Sequence, residues 1–197
     1  MLALASLYLS LRRTIIRVSD FITVFRGSGI RSWFDWELLQ SRDYSVAETF
    51  SRSNTVLGAL ETVWYTWPDG SLGDWRNQGN RRLRVEEVAS RRNFPDKKSC
   101  NYIQRLASGM RGNSTPLYLI LPCYRTERGR VLVLDGNHRA IAAFKSEVDI
   151  RLLIFAITGP DNPLMLPDLL HETNPDATAE AWAHCRAEIE KKFREES

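Results

Sequence analysis

Cysteine and histidine are scarce in this chain of 197 residues, with three of each. Cys100, Cys123 and Cys185 are an odd number with no Cys-x-x-Cys and no Cys/His metal spacing. They fit reduced, buried thiols in a cytoplasmic compartment better than a disulfide framework. His171, Glu172 and His184 lack the i, i+4 histidine pair of helical zinc sites. A long apolar run is missing too. A spanning helix needs about 20 apolar residues, so no membrane segment is expected. Residues 1–11 are apolar but are followed by Arg12, Arg13 and Arg17, whereas a secretory signal carries its basic residues first. The start is acid-free as far as Asp20 and contains Arg and Ser, a composition shared with organelle transit segments; an amphipathic N-terminal helix is the expectation. Charge of one sign is not in excess: 27 Lys and Arg against 24 Asp and Glu leave +3, too little for a general polyanion binder. No repeat or low-complexity tract interrupts a composition that is 43% hydrophobic, enough to bury a proper core.

What the chain does hold is one sharp junction. Val131-Leu132-Val133-Leu134 runs into Asp135-Gly136-Asn137 and then into His138-Arg139-Ala140-Ile141-Ala142-Ala143-Phe144, a strand that stops at a glycine and passes to a helix start. The first N–H groups of a helix lack intrahelical partners and lie at the positive end of its dipole, so an anion can be held there. Gly136 lets the backbone approach such an anion, and Arg139, one turn in, carries a guanidinium able to grip two oxygens. Asp135 and His138 put a metal ligand and a proton carrier beside it. The same residues also satisfy a plainer arrangement, a tight turn with Asn137 capping the helix and His138 and Arg139 in solvent.

The flanks supply a fold. Residues 99–112 carry Ile103, Leu106, Ala107 and Met110 at helical spacing with Gly112-Asn113 as the stop, residues 116–121 and 151–157 read as strands, and residues 125–130 form a polar turn. The order is strand, helix, strand, turn, strand, Asp-Gly-Asn-His-Arg, helix, strand: an α/β (α+β) protein with a small mixed sheet and surrounding helices. This order and this motif together resemble the ParB/sulfiredoxin-like superfamily over residues 83–158. The resemblance implies a nucleotide whose phosphates are held by Gly136, Asn137, His138 and Arg139. Asn137 stands where sulfiredoxins carry their reactive cysteine, which speaks against peroxiredoxin repair. The Gly-Glu-Arg-Arg of the chromosome-partitioning branch and its following helix-turn-helix are not evident either. Asp-Gly-x-His-Arg is similar to the free serine kinase branch, which implies a phosphotransferase using Mg2+ with ATP, ADP or CTP and a small hydroxyl-bearing acceptor. Under that resemblance Asp135 is the metal ligand and, with His138, a catalytic group. An acidic residue near the first strand, Glu86 or Glu87, is then the general base; alternate residues of a strand face opposite ways, so only one of them points into the site.

Composition divides the chain in three. Residues 1–75 are expected to form a helical, aromatic-rich region, with Trp33, Phe34, Trp36, Phe50, Trp64, Tyr65 and Trp67 packing onto the core, ended by the turn cluster at residues 68–73. Residues 76–160 hold the nucleotide-binding core. Residues 161–197 form a helical extension in which Pro175 opens a helix capped by Asn174, with Ala181, Trp182, Cys185, Ile189 and Phe193 on one face. Residues 76–98 carry eight basic residues against three acidic ones. Contact with nucleic acid through Arg81, Arg82, Arg91 and Arg92 would make the protein a nucleotide-responsive DNA- or protein-binding module instead of an enzyme; the alternative is a solvated connecting segment. A nuclease ranks lower, because no carboxylate cluster suited to two metals is visible.

Overall fold

A computed structural model describes residues 13–30, 33–41, 43–92, 94–112 and 115–195 of the protein. The helix expected over residues 1–11 lies outside the described residues. From the N-terminal side the elements are β1 (Arg13–Ile16), α1 (Val18–Phe25), β2 (Ser45–Ser51), α2 (Asn54–Gly58), β3 (Glu61–Thr66), β4 (Leu72–Gly73) and β5 (Arg81–Arg84). They continue as α3 (Val85–Ser90), α4 (Lys97–Arg111), β6 (Leu117–Arg125), β7 (Val131–Val133), α5 (Asn137–Ser146), β8 (Ile150–Thr158), α6 (Leu170–Thr173) and α7 (Ala179–Glu195). The class is mixed α/β, with one open sheet in the order β1-β2-β8-β6-β7-β3-β4 and β5 paired to β3.

The long central strands set the sheet. β6 and β8 pair in parallel from Leu117↔Ile150 to Arg125↔Thr158, and both are rich in aliphatic residues, although Tyr118 and Ile120 leave one face of β6 exposed at its start. β7 hairpins back onto β6 through a tight turn in which Gly129 takes φ +78°. Its side chains divide by alternation: Val131 and Val133 join the core beneath α3, α4 and α5, while Leu132 and Leu134 join Phe21, Phe25, Tyr124 and Leu169 on the opposite face. α5 buries Ala140, Ile141 and Ala143, and its Phe144 seats against Gly58, where a Cβ would lie 2.7 Å from the ring.

Three expectations need correction. Residues 1–75 are not a helical region, since their described part supplies four of the strands, β1 to β4. The aromatics concealed this: in Glu61-Thr62-Val63-Trp64-Tyr65-Thr66 they sit among β-branched residues, and that combination suits a pleated surface. The sheet therefore takes strands from both sides of residue 75. The C-terminal helix begins at Ala179, not at Pro175, and the Thr178 hydroxyl accepts from Ala181 N–H at 3.2 Å. Asn174 instead ends the short α6 by donating its N–H to Leu170 O. Trp182, Ile189 and Phe193 are the buried face of α7, and Ala181 is exposed.

The edges of β3 are shared among its partner strands. Glu61 pairs with both Arg84 of β5 and Leu132 of β7, and Tyr65 pairs with both Arg82 of β5 and Gly73 of β4. A strand residue has only two edges, so β7 and β4 share one edge of β3, the first near Glu61 and the second near Tyr65. Between them the backbone ladder is interrupted at Val63.

β3 is also fixed by buried charge. The Arg82 side chain, 2% exposed, pairs with Glu61 at 2.8 Å and with Glu172, which is 0% exposed, and donates to Asp168 O at 3.1 Å. Arg130 from the β6–β7 turn reaches the same two carboxylates. Burial disfavours the Arg82 charge, but Tyr65, Glu61 and Glu172 outweigh that and raise its pKa. Removing this cation would leave two buried carboxylates with only the partly exposed Arg130 as partner. Arg82→Met is expected to lower the unfolding free energy by about 3–5 kcal/mol in urea titrations; a loss below about 1 kcal/mol, the scale of a surface pair, would show that the network is not a stabilising element.

Candidate functional site

The loop from β7 to α5 is built as a strand-to-helix handover. Gly136 adopts φ +84°, ψ 16°, the left-handed region that costs an L side chain about 1–2 kcal/mol. Space excludes a side chain as well: a Cβ there would lie 2.9 Å from Leu121 Cδ2 and 3.0 Å from Arg139 Nη2. The guanidinium thus folds across the bare glycine. Ala140 N–H donates back to Gly136 O at 2.8 Å, so the N–H groups of Asn137, His138 and Arg139 belong to the first turn, which the helix itself cannot satisfy. Arg139 is half-exposed and touches Asp135 Oδ2 at 3.5 Å, a loose contact it can exchange for a better anion. Asp135 Oδ1 accepts from Gly136 N–H at 2.5 Å, and Gly29 lies close to the same carboxylate, where a Cβ would be 3.3 Å from Oδ1.

Asn137 is committed elsewhere. Its side chain is buried, accepts from Val63 N–H at 3.1 Å and donates to Val133 O at 3.4 Å. It fills the interrupted ladder between β7 and β4, so only its backbone is placed for a phosphate. His138 is half-buried, its ring edge-on to Trp64 at 5.1 Å and to Tyr102 at 5.4 Å. Burial lowers its pKa, with Asp96 opposing, so the neutral ring is favoured at neutral pH.

The expected bases are not on a strand. Glu86 and Glu87 occupy the first turn of α3, where acidic residues complement the helix dipole. Glu87 Oε2 accepts from Arg84 N–H at 2.9 Å and its Oε1 from Arg81 at 2.7 Å. Burial alone would raise its pKa; these bonds more than offset that and lower it, the opposite of a poised base. Glu86 contacts Arg84 at 3.7 Å, and its Cβ faces Gly58, beside Phe144 near the far end of α5. Neither joins the loop.

The basic stretch is likewise spent internally. Arg82 is buried in its ion pairs, Arg81 holds Glu87, and Arg91 donates to Gly70 O at 2.9 Å while covering the Phe94 ring. Arg92 stays exposed beside a cavity of about 270 Å³ that Arg91 and Lys145 also line. A nucleic-acid surface formed by all four arginines is therefore not present. Among the described residues no group of three or more His, Cys, Asp and Glu is arranged to hold a metal ion, and no helix is long and apolar enough to cross a membrane.

Two features escaped the sequence reading. One is the Arg82 network, whose members are far apart in the chain. The other is a cleft of about 350 Å³ beside β3, lined by Val63, Trp64, Tyr65, Trp33, Trp75 and Asp168. Trp64 links it to the loop through His138. No family model, curated protein or solved structure matches the chain.

Two measurements check this geometry. Gly136→Ala is expected to cost about 1–2 kcal/mol from the left-handed backbone alone, and more if Arg139 is displaced; an unchanged thermal midpoint would mean the loop readily takes another conformation. His171 lies behind the cleft, edge-on to Trp182 and donating from Nε2 to Trp75 O at 2.8 Å. Burial, then the Arg82 charge, push its pKa down to about 4. The unfolded chain binds a proton near pH 6.5 and the folded one does not, so stability from this group is present above that pH and is lost as pH falls toward 4. Wild type should lose stability over that window relative to His171→Gln, as read from paired denaturation curves; parallel curves would contradict a buried neutral imidazole.

Proposed function

We propose that the protein is a nucleotide-binding phosphotransferase of the ParB/sulfiredoxin-like type, acting on a small hydroxyl-bearing metabolite with ATP, ADP or CTP. The observation that carries this reading is the left-handed Gly136 delivering the first turn of α5 beneath a guanidinium folded over it. Backbone N–H groups of residues 137–139 and the fork of Arg139 make complementary donors for phosphate oxygens. Phosphoryl transfer asks the protein chiefly for position and charge neutralisation, which such a small set can supply.

Asp135 is the group assigned to chemistry. A carboxylate beside a bound phosphate is repulsive unless a cation lies between them, and magnesium is usually held by one or two carboxylates together with phosphate oxygens. Asp135 with the nucleotide phosphates fits that donor set, and magnesium there would neutralise charge on the transferred group. Asp135 also orients the incoming hydroxyl, since Glu87 is locked in its cap and Glu86 is turned away. The neutral ring of His138 positions Trp64 and is a proton acceptor at the rim.

Calorimetry and an activity panel test the reading. Arg139→Ala should weaken nucleotide binding by about 1.5–3 kcal/mol, the range for a charge-assisted hydrogen bond; unchanged affinity would remove the site. Asp135→Asn should retain metal-free nucleotide binding while transfer from labelled nucleotide to hydroxyl acceptors falls about a hundredfold or more. Clear nucleotide binding with no transfer to any acceptor would turn the assignment to a nucleotide-responsive binding module.

A further inference from the structure

We infer that the cavity between α3, α4 and α5 is a second anion site, one that takes a small oxyanion ligand carrying two or more negative charges. Arg91 and Arg92 line it from the segment after α3, Cys100 and Gln104 from α4, and Lys145 from the last turn of α5. Among the described residues no acid lines it.

Charge balance singles this cavity out. Arg76, Arg81, Arg82, Arg130, Arg139 and Arg151 each contact a carboxylate. Arg91 and Lys145 are held by neutral oxygens instead: Arg91 Nη1 donates to Gly70 O at 2.9 Å, and Lys145 Nζ donates to Ala89 O at 2.7 Å. Such bonds aim the side chains without cancelling their charge. A guanidinium has five N–H groups and an ammonium three, so both keep donors for a ligand. Arg92 is exposed and makes no hydrogen bond or ion pair among the described residues. A concave surface lined by charge of one sign focuses its field and gathers the opposite ion.

Size decides the class of anion. At about 270 Å³ the cavity is at the small end of ligand sites, which run from about 300 to 1,000 Å³, so it suits a compact anion and not a nucleotide or a nucleic-acid strand. Three cations around so small a ligand call for more than one negative charge, as on a phosphomonoester or a dicarboxylate. The site is also distinct from the loop at Gly136. Lys145 stands six residues beyond Arg139 on α5, about 9 Å further along the axis and about a third of a turn away.

Calorimetry on the full chain compares glycerol phosphate and succinate with acetate. Cys100 serves as a local reporter, its alkylation by iodoacetamide followed by mass spectrometry beside that of Cys185 on α7. Glycerol phosphate, succinate or both should bind about tenfold or more tightly than acetate, the scale of one charge-assisted hydrogen bond, and should slow alkylation of Cys100 but not of Cys185. Binding of one dianion alone identifies the head group, phosphate or carboxylate, that the site takes. Lys145→Met and Arg92→Ala should each weaken that dianion severalfold, while Arg139→Ala leaves it unchanged. Arg92→Ala gives up no hydrogen bond or ion pair among the described residues, so it carries the test if Lys145→Met does not fold. No preference for either dianion over acetate, or equal alkylation of Cys100 with and without the dianion, overturns the inference. Loss of binding in Arg139→Ala with none in Arg92→Ala places the anion on the loop and overturns it as well.

Discussion

The side chain of Asn137 closes the sheet where its backbone ladder stops. One amide accepts from Val63 N–H and donates to Val133 O, doing for β3 and β7 what a continued parallel ladder would otherwise do. An asparagine can serve both strands because its side chain carries a donor and an acceptor, like a peptide group. The consequence is spatial. With the ladder carried by a side chain, β7 is released after Val133 to turn through Asp135 and Gly136 into α5. The loop is the result of that interruption and depends on this buried amide.

Charge is then distributed on two levels. In the interior, Arg82 and Arg130 compensate Glu61 and Glu172, tying β5, β3, the β6–β7 turn and α6 into one block behind the cleft. Such a network is weak evidence for stability as such, since burying charges is costly, but it specifies which strands meet. Nearer the surface, Arg139 pairs loosely with Asp135 and remains half-exposed. The contrast gives the arginines different work: Arg82 is saturated with partners, while Arg139 has capacity to take an anion. Net charge of +3 conveys none of this, because the basic residues at 81, 82 and 91 answer to partners within the chain.

Much around the loop was legible in order. The Val131 strand with its Asp-Gly break, the helix that follows, the helix before β6 and the long β6 and β8 strands all stand where apolar periodicity and the glycine stop put them. Local signals suffice when an element's own residues carry its pattern. They fail where a residue answers to a distant partner. Glu87 reads as an available acid until Arg81 and the Arg84 N–H are seen to occupy it. Asn137 reads as a phosphate contact or a helix cap until Val63, 74 positions earlier, is found bonded to it. Trp64 and Tyr65 read as packing aromatics although they form a strand, because aromatic residues serve helix faces and strands alike.

The sequence by itself determined the mixed α/β class, the handover at Gly136 and the nearness of Asp135, His138 and Arg139, since all of these rest on short-range geometry: a left-handed backbone that favours glycine and a helix turn that brings i and i+4 together. Only the tertiary structure decided which charges are paired, which amide is spent on the sheet, and that Trp33, Trp64 and Trp75 come from separate segments to the lining of one cleft. The reason is that a pattern in sequence encodes which face of an element is buried, whereas the partner across that face is chosen by packing and by the requirement that every buried polar group find a match.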